Sequence, residues 1–514
     1  MFSKVKTAVC IGIDGKLVNV ETDLSNGLPS INIVGLASTM VMEAKERIKM
    51  AIINSDYEYP KGRITVNLTP ANLRKNGSYL DLPIAIGVLV SNMYVSASKI
   101  AEFGIIGELS LDGEVLGVDC VMPLVFALAN SGLKKIIVPH KNYREAKLVS
   151  GIEIVPIGNL AECVDVINGE RDVEALISKY CDNHEEEEGG SKIENLDFMD
   201  IKGQENAKRA ITIAVAGMHG LLMIGSPGCG KSMMARRIPT IMPKMSRREL
   251  IETAIIYSVI GKNNQDGEIM TVRPFRSPHN TIGRAGLLGG GMHPIPGEIS
   301  LAHNGVLFLD EVCEFDRENL ESLRLPIEEK NITHFRQGIA YKFPCNFQLV
   351  MAANPCKCGY YGDPERLCKC SQVQLDQYRR KLSGPMMDRI DLKIRMDKVK
   401  YEDLSENEAS GKSSKEMKSD VIRGIEFAKK MGRNIPNSLI NDSDLEKHCF
   451  LGDKESKLME NAYKTLKLSP RSYKRILKVA RTIADMDESE LIKEKHLAEA
   501  LSYRMFNEIN EGEM

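Results

Sequence analysis

The apolar run Gly220-Leu221-Leu222-Met223-Ile224 leads directly into Gly225-Ser226-Pro227-Gly228-Cys229-Gly230-Lys231-Ser232. The order reads strand, glycine-rich loop, helix, with glycines, a lysine and a hydroxyl at the spacing of a phosphate loop. Glycines let backbone N–H groups close around phosphates, and the helix that follows turns its positive end toward them. Lys231 is then placed for the β and γ phosphates and Ser232 for Mg²⁺. The stretch therefore reads as a nucleoside triphosphate site rather than an unliganded turn, and it calls for an α/β domain built around a buried strand.

With 514 residues the chain has room for about three domains. Up to about residue 170, short apolar runs with period-two patterning (Ala8–Ile11, Ile31–Val34, Ile64–Leu68, Ile105–Leu109, Lys135–Pro139) alternate with helical patterns at 39–53, 80–92 and 121–131. This describes an α/β or α+β domain over 1–175. The acidic run from Cys181 to Ser191 reads as a solvated linker, taken as 176–197. The nucleotide-binding core is expected over 198–402. Within it Val306–Leu309 and Phe347–Ala353 are apolar runs that end in Asp310-Glu311 and Asn354, the pattern of a parallel sheet with its chemistry at the carboxyl edge. From 403 to 514 the chain is polar and helical, with helices expected at 416–431, 454–466, 470–486 and 493–507.

A net charge of −2 and a pI near 6.6 exclude a protein that coats nucleic acid by bulk charge, so any such contact must be local. The first twenty residues alternate like a strand, and no apolar run approaches a membrane span. A cytoplasmic protein without a membrane partner is expected. Twelve cysteines without a secretory leader point to reduced thiols.

The paired acids divide one hydrolysis between them: Asp310 for the Mg²⁺ shell and Glu311 to orient or deprotonate the attacking water. Asn354 either helps position that water or forms a turn before Pro355. Cys356, Cys358, Cys368 and Cys370 form two close pairs in the loop 356–370. They suit a tetrahedral Zn²⁺ site, although the one-residue inner spacing is tighter than usual, and free thiols are the other reading. Arg273, Arg276, Arg284, Arg336 and Lys342 are candidate phosphate contacts for DNA or simply solvated loop charges. Arg389 and Arg471 are, from spacing alone, ordinary arginines.

Taken together, Arg273-Pro274-Phe275-Arg276-Ser277-Pro278-His279, Gly289-Gly290-Gly291, Pro296 through Glu311, Ala353-Asn354-Pro355-Cys356 and Ser383-Gly384-Pro385 through Arg389 resemble the YifB/ComM family of magnesium-chelatase-like AAA+ ATPases over essentially the whole length. One departure is Asn280, where the family tends to carry a second histidine after His279. The resemblance implies that Asn354 acts as sensor 1, Arg389 as an arginine finger on the adjacent subunit, and Arg471 as sensor 2 in cis, on a C-terminal helical lid. It also implies a homo-hexamer that uses ATP and Mg²⁺ to drive branch migration on DNA recombination intermediates. The alternative is a chelatase-type remodelling ATPase that drives metal insertion. Chelatase motors are expected to lack the N-terminal domain. That domain resembles the Lon-protease fold, related to domain 2 of ribosomal S5, through Lys75–Pro83 and Ile106–Val115. The Ser-Lys pair a Lon peptidase needs is missing: Gly117-Val118-Asp119-Cys120-Val121-Met122-Pro123 carries no lysine, and Ser78 reads as a loop hydroxyl. A binding or assembly module is expected.

Overall fold

The computed structural model describes residues 2–181, 196–261, 271–363, 365–381, 386–398 and 411–504. The chain opens with a long antiparallel pair, β1 (Phe2–Ile11) and β2 (Asp14–Ser25). There follow β3 (Ser30–Val34), α1 (Thr39–Asn54), β4 (Arg63–Thr69), α2 (Asp81–Ser91), β5 (Phe103–Ile105), α3 (Val121–Asn130), β6 (Lys135–Pro139) and β7 (Glu153–Ile157). Two helices close the domain, α4 (Leu160–Asn168) and α5 (Val173–Cys181). The seven strands form one mixed sheet in the order β3-β4-β2-β1-β5-β6-β7. Every residue of α2 is buried, as its unbroken apolar sequence demands, and Gly87 lets it approach Thr22 on β2.

The boundary expected at residue 175 falls inside α5. Leu176 belongs to the core of this domain, and Lys179 and Tyr180 both donate to Glu162 on α4, so the domain runs to residue 181. A helix of nine residues beside an acidic run carries too weak a pattern to separate from a linker. The acidic residues 182–195 lie outside the described residues. The run expected over Ile105–Leu109 is two pieces, β5 and a short hairpin that pairs Glu108–Leu109 with Val115–Leu116.

The middle of the chain supplies α6 (Glu205–Gly217), β8 (Leu221–Gly225), α7 (Lys231–Ile241), α8 (Arg247–Val259), β9 (Phe275–Arg276), β10 (Val306–Leu309), the separate hairpin β11 (Asn331–Arg336) and β12 (Ile339–Pro344), β13 (Gln348–Ala353) and β14 (Leu392–Met396). Five of these strands lie parallel in the order β9-β10-β13-β8-β14. Because all five run the same way, the ends of β8, β10 and β13 meet at one edge. Helix α8 reaches across to the first domain: Ser258 accepts the Cys120 N–H at 3.0 Å, and Ala254 enters that domain's core.

The C-terminal helices are α9 (Ser414–Lys430), α10 (Asp453–Thr465), α11 (Pro470–Met486) and α12 (Glu494–Ser502). Ser413 and Glu416 form a capping box that starts α9, and Ser469 caps α11 ahead of Pro470. These helices share one continuous core with α6, α7 and one face of the parallel sheet. The expected end of the core at 402, and the last residues of the helix expected to reach 507, lie outside the described residues.

Candidate active site

Gly228 and Gly230 hold φ of +83° and +92°, the left-handed region in which only glycine is unstrained. They turn the chain from β8 into α7 and bring Lys231 and Ser232 onto the first helical turn. The Lys231 ammonium donates to the carbonyls of Gly225 (2.6 Å) and Ser226 (3.1 Å) and to Asn354 Oδ1 (3.2 Å). Ser232 Oγ donates to Asp310 Oδ2 at 2.6 Å. Lys231 and Asn354 are 123 residues apart, and Ser232 and Asp310 are 78 apart. Parallel strands of matched length explain both meetings, since Ile224 on β8 pairs with Ala353 on β13, and Leu309 on β10 pairs with Met351.

Glu311 is exposed and sits at φ +49°, a strained setting for a residue with a Cβ. Its N–H donates to Asp310 Oδ1 at 2.9 Å, which ties the turn to the acid before it. Such strain costs about 1–3 kcal/mol and persists where the surrounding structure imposes it. The arrangement offers two hard oxygen donors, Ser232 and Asp310, at one point, an ammonium beside them, and a carboxylate facing solvent. These donors fit Mg²⁺ and a phosphate chain.

The two arginines lie elsewhere. Gly220, at the start of β8, accepts the N–H groups of Asp391 and Leu392, so Arg389 stands at the amino edge of the sheet. The phosphate loop leaves the other end of the five-residue β8, roughly 15 Å away. Arg389 and Arg471 both donate to Glu328 Oε1, at 2.7 and 2.5 Å. Burial and the neighbouring Arg471 press the Arg389 guanidinium below its ordinary pKa, and Glu328, despite some burial, is held below the usual carboxylate range by the same two cations. Arg471, expected to act in cis, lies away from its own loop: α11 packs against α6, which precedes β8, and delivers Arg471 to the opposite edge. A buried strut supports both arginines. Asp391 bonds Arg475 and His219, His219 bonds Thr482 at 2.7 Å, and Arg475 donates to the Arg389 carbonyl at 2.6 Å.

The cysteines come together as expected. The four Sγ atoms of Cys356, Cys358, Cys368 and Cys370 lie within 4.8 Å of one another, three of the separations being 3.4–3.6 Å. Against the opposing effect of burial, backbone N–H groups of Tyr360 and Lys369 and the neighbouring thiols lower the Cys358 pKa to about 6. A thiolate is the form a metal takes.

Two of the basic candidates are structural. Arg273 donates to Glu249 and to the carbonyls of Pro243 and Asn304, and Arg276 makes a two-point pair with Glu298 at 2.6 Å on each arm. Arg284, Arg336 and Lys342 are exposed, the last two on the β11–β12 hairpin beside Phe335, which is 69% exposed. In the first domain Ser78 donates to Glu108 on the short hairpin, and the buried Lys75 donates to the Pro70 carbonyl of its own loop.

Sequence reading missed Glu328, Asp363 and Asp391. Asp363 accepts from Ser226 of the phosphate loop at 3.0 Å. All three act across more than 60 residues of chain, and none stands in a local pattern.

Comparison with known proteins bears on this geometry. Residues 197–404 match the family described as magnesium chelatase, subunit ChlI. Residues 20–142 match that described as subunit ChlI of Mg-chelatase, and residues 411–504 its C-terminal part. The chain is 40% identical to competence protein ComM of Haemophilus influenzae over 500 residues, covering 97% of each chain. To YifB of Escherichia coli it is 39% identical over 508 residues, 99% of this chain and 98% of that one. A shorter likeness, 28% over 147 residues, connects it with Lon protease 2 of Bacillus subtilis, 27% of each chain. With a glycine-rich loop, an acidic strand end and the Asn354 amide meeting at one sheet edge, and with likeness running from end to end, the chain belongs to the YifB/ComM family of magnesium-chelatase-like AAA+ ATPases.

Proposed function

We propose that this ATPase is a homo-hexameric motor that moves branched DNA, acting as a branch-migration helicase on recombination intermediates. One observation carries the reading: the hydrolytic groups and the arginine pair stand at opposite edges of one sheet. A site divided in this way is completed by the next copy in a ring, so Lys231, Ser232, Asp310, Glu311 and Asn354 of one subunit face Arg389 and Arg471 of its neighbour. In this reading Ser232 and Asp310 hold Mg²⁺, which neutralises charge on the phosphates. Lys231 binds the phosphates, Glu311 and Asn354 orient the water, and the arginines meet the charge that develops as the terminal phosphate departs. Phe335, Arg336 and Lys342 on the exposed hairpin are the favoured DNA contacts, a stacking ring beside two cations. Residues 403–514 serve as the lid, and the first domain, a Lon-like fold without a Ser-Lys pair, as an assembly or binding module. None of the described helices is long and apolar enough to cross a membrane; the proposed place of work is the cytoplasm.

The four cysteines hold one structural Zn²⁺. Sulfurs about 2.3 Å from a tetrahedral zinc lie about 3.8 Å apart; the three separations among Cys356, Cys358 and Cys368 fall just inside that spacing, and Cys370 lies within 4.8 Å of the others.

The test is a synthetic four-way junction with purified protein. DNA-stimulated ATPase and strand exchange, both lost in Lys231→Ala, are expected. No stimulation, and junctions that stay fixed, would refute the motor. The match to ChlI family models favours a second reading, a chelatase-type ATPase driving metal insertion; capture of a metal-insertion partner with no DNA in the bound fraction would support it instead.

A further inference from the structure

The cysteine loop does more than follow Asn354: it lies against the phosphate loop. Gly359 approaches Pro227 so closely that a Cβ there would stand 2.7 Å from the proline ring. Four residues on, the Asp363 carboxylate, only 1% exposed, accepts Ser226 Oγ at 3.0 Å. The backbone N–H groups of Glu365 (2.9 Å) and Arg366 (3.1 Å) and the ammonium of Lys398 (3.0 Å) complete its shell. Arg395, on the strand beside β8, donates to the Gly362 carbonyl at 2.7 Å. Ser226 and Pro227 are thus touched from outside by a segment whose two ends carry the thiols, Cys356 and Cys358 before it and Cys368 and Cys370 after it.

These polar ties hold the middle of the segment, and its two ends are held differently. Within it, Leu367 is 91% exposed, and of the four cysteines Cys356 alone is buried, so a hydrophobic core does not hold both ends together. Closing a loop of this length has an entropic cost, and a metal bridging its ends removes that cost from every later event that needs the loop closed. Nucleotide binding is one such event, because the backbone of Ser226 and Pro227 must be fixed before its neighbours can cradle phosphates.

We infer that zinc held by Cys356, Cys358, Cys368 and Cys370 acts as a clamp on the phosphate loop, so that metal occupancy sets nucleotide affinity through Gly359 on Pro227 and Asp363 on Ser226. The inference rests on the structural-zinc reading above. Asp363 is a positioning residue: it touches the loop, not the nucleotide.

The test measures zinc stoichiometry and the Kd of a fluorescent ADP analogue, in excess Mg²⁺, on the full chain. Zinc is removed with a high-affinity chelator under reducing conditions and the chelator is dialysed away; a thiol reagent would also attack Cys229 in the phosphate loop. The untreated protein is expected to carry about one zinc, and stripping it to weaken ADP binding about tenfold, the size of one charge-assisted hydrogen bond. Asp363→Ala should keep its zinc, show the same loss, and lose no further affinity on stripping. Re-addition of zinc should restore wild-type affinity only. Zinc bound but ADP affinity unchanged on stripping would overturn the clamp and leave the zinc site standing. Less than half an equivalent of zinc, with all four cysteines freely alkylated, would overturn the zinc reading and the clamp with it. Asp363→Ala with unchanged affinity, folded by circular dichroism, would also overturn the clamp.

Discussion

If the arginines of one copy complete the site of the next, two inactive variants must rescue each other. Arg389→Ala removes the cation but leaves Lys231, Ser232, Asp310, Glu311 and Asn354 in place, since its ties run to Glu328 at the other sheet edge. Glu311→Gln does the reverse. Each alone should lose ATPase activity by roughly 10³-fold, the lower range for removal of a finger. In an equal random mixture, an interface is competent when the nucleotide comes from an Arg389→Ala copy and the arginine from a Glu311→Gln copy. About one interface in four meets both conditions, so the mixture should recover about a quarter of wild-type turnover. The separation of roughly 15 Å along β8 is what makes this figure strict, because no single chain can supply both groups to one phosphate. The assay is steady-state phosphate release after co-refolding or co-expression of the two variants, with mass photometry to verify mixed rings. Activity no greater than the sum of the separate variants, in rings shown to be mixed, would refute the divided site. Substantial activity of Arg389→Ala alone would refute it as well.

Three further outcomes follow from the side-chain contacts. Arg276→Ala should lower stability by about 1.5–3 kcal/mol in chemical denaturation and leave DNA affinity unchanged once folded, since both its arms are spent on Glu298. Phe335→Ala, by contrast, should weaken single-stranded DNA binding by about 1–3 kcal/mol, read by fluorescence anisotropy, and leave DNA-free ATPase untouched. Burial raises the Asp81 pKa to about 6 from an ordinary 3.8, against the pull of Arg47. The folded chain thus keeps this proton to higher pH than the unfolded chain. The stability it confers is complete below about pH 4 and declines by on the order of 3 kcal/mol as pH rises through 6. The wild-type and Asp81→Asn denaturation midpoints should therefore diverge across that window and run parallel above it. A constant offset from pH 4 to 8 would contradict this.

What was legible in the sequence was whatever is written locally. The phosphate loop is eight consecutive residues, and the helices over 39–54, 121–130 and 470–486 announce themselves by period, the last also by its Ser469 cap and Pro470. Hairpin β11–β12 has a weaker local signal in Gln337-Gly338, both at positive φ, because charged residues interrupt the alternation of its two strands. Helix α5 was divided by a boundary drawn from composition, because an acidic run next to it resembles a linker on either side.

By itself the sequence determined that a phosphate-loop pattern follows a buried strand near the start of the second domain, that two acids and an amide end the neighbouring strands, and that four cysteines stand close along the chain. Each follows from residue type at fixed spacing, which covalent geometry translates into local structure. Only the tertiary structure decided which edge each group occupies. The parallel register puts Asp310 and Asn354 beside Ser232 and Lys231, while the packing of α11 on α6 carries Arg471 to the far edge, where Glu328 holds it with Arg389. It also turned Arg273 and Arg276 inward to their own carboxylates and laid Asp363 on Ser226. The physical reason is the same throughout. A charge finds its partner through space, across tens to hundreds of residues, and the sequence around either member carries no mark of the other.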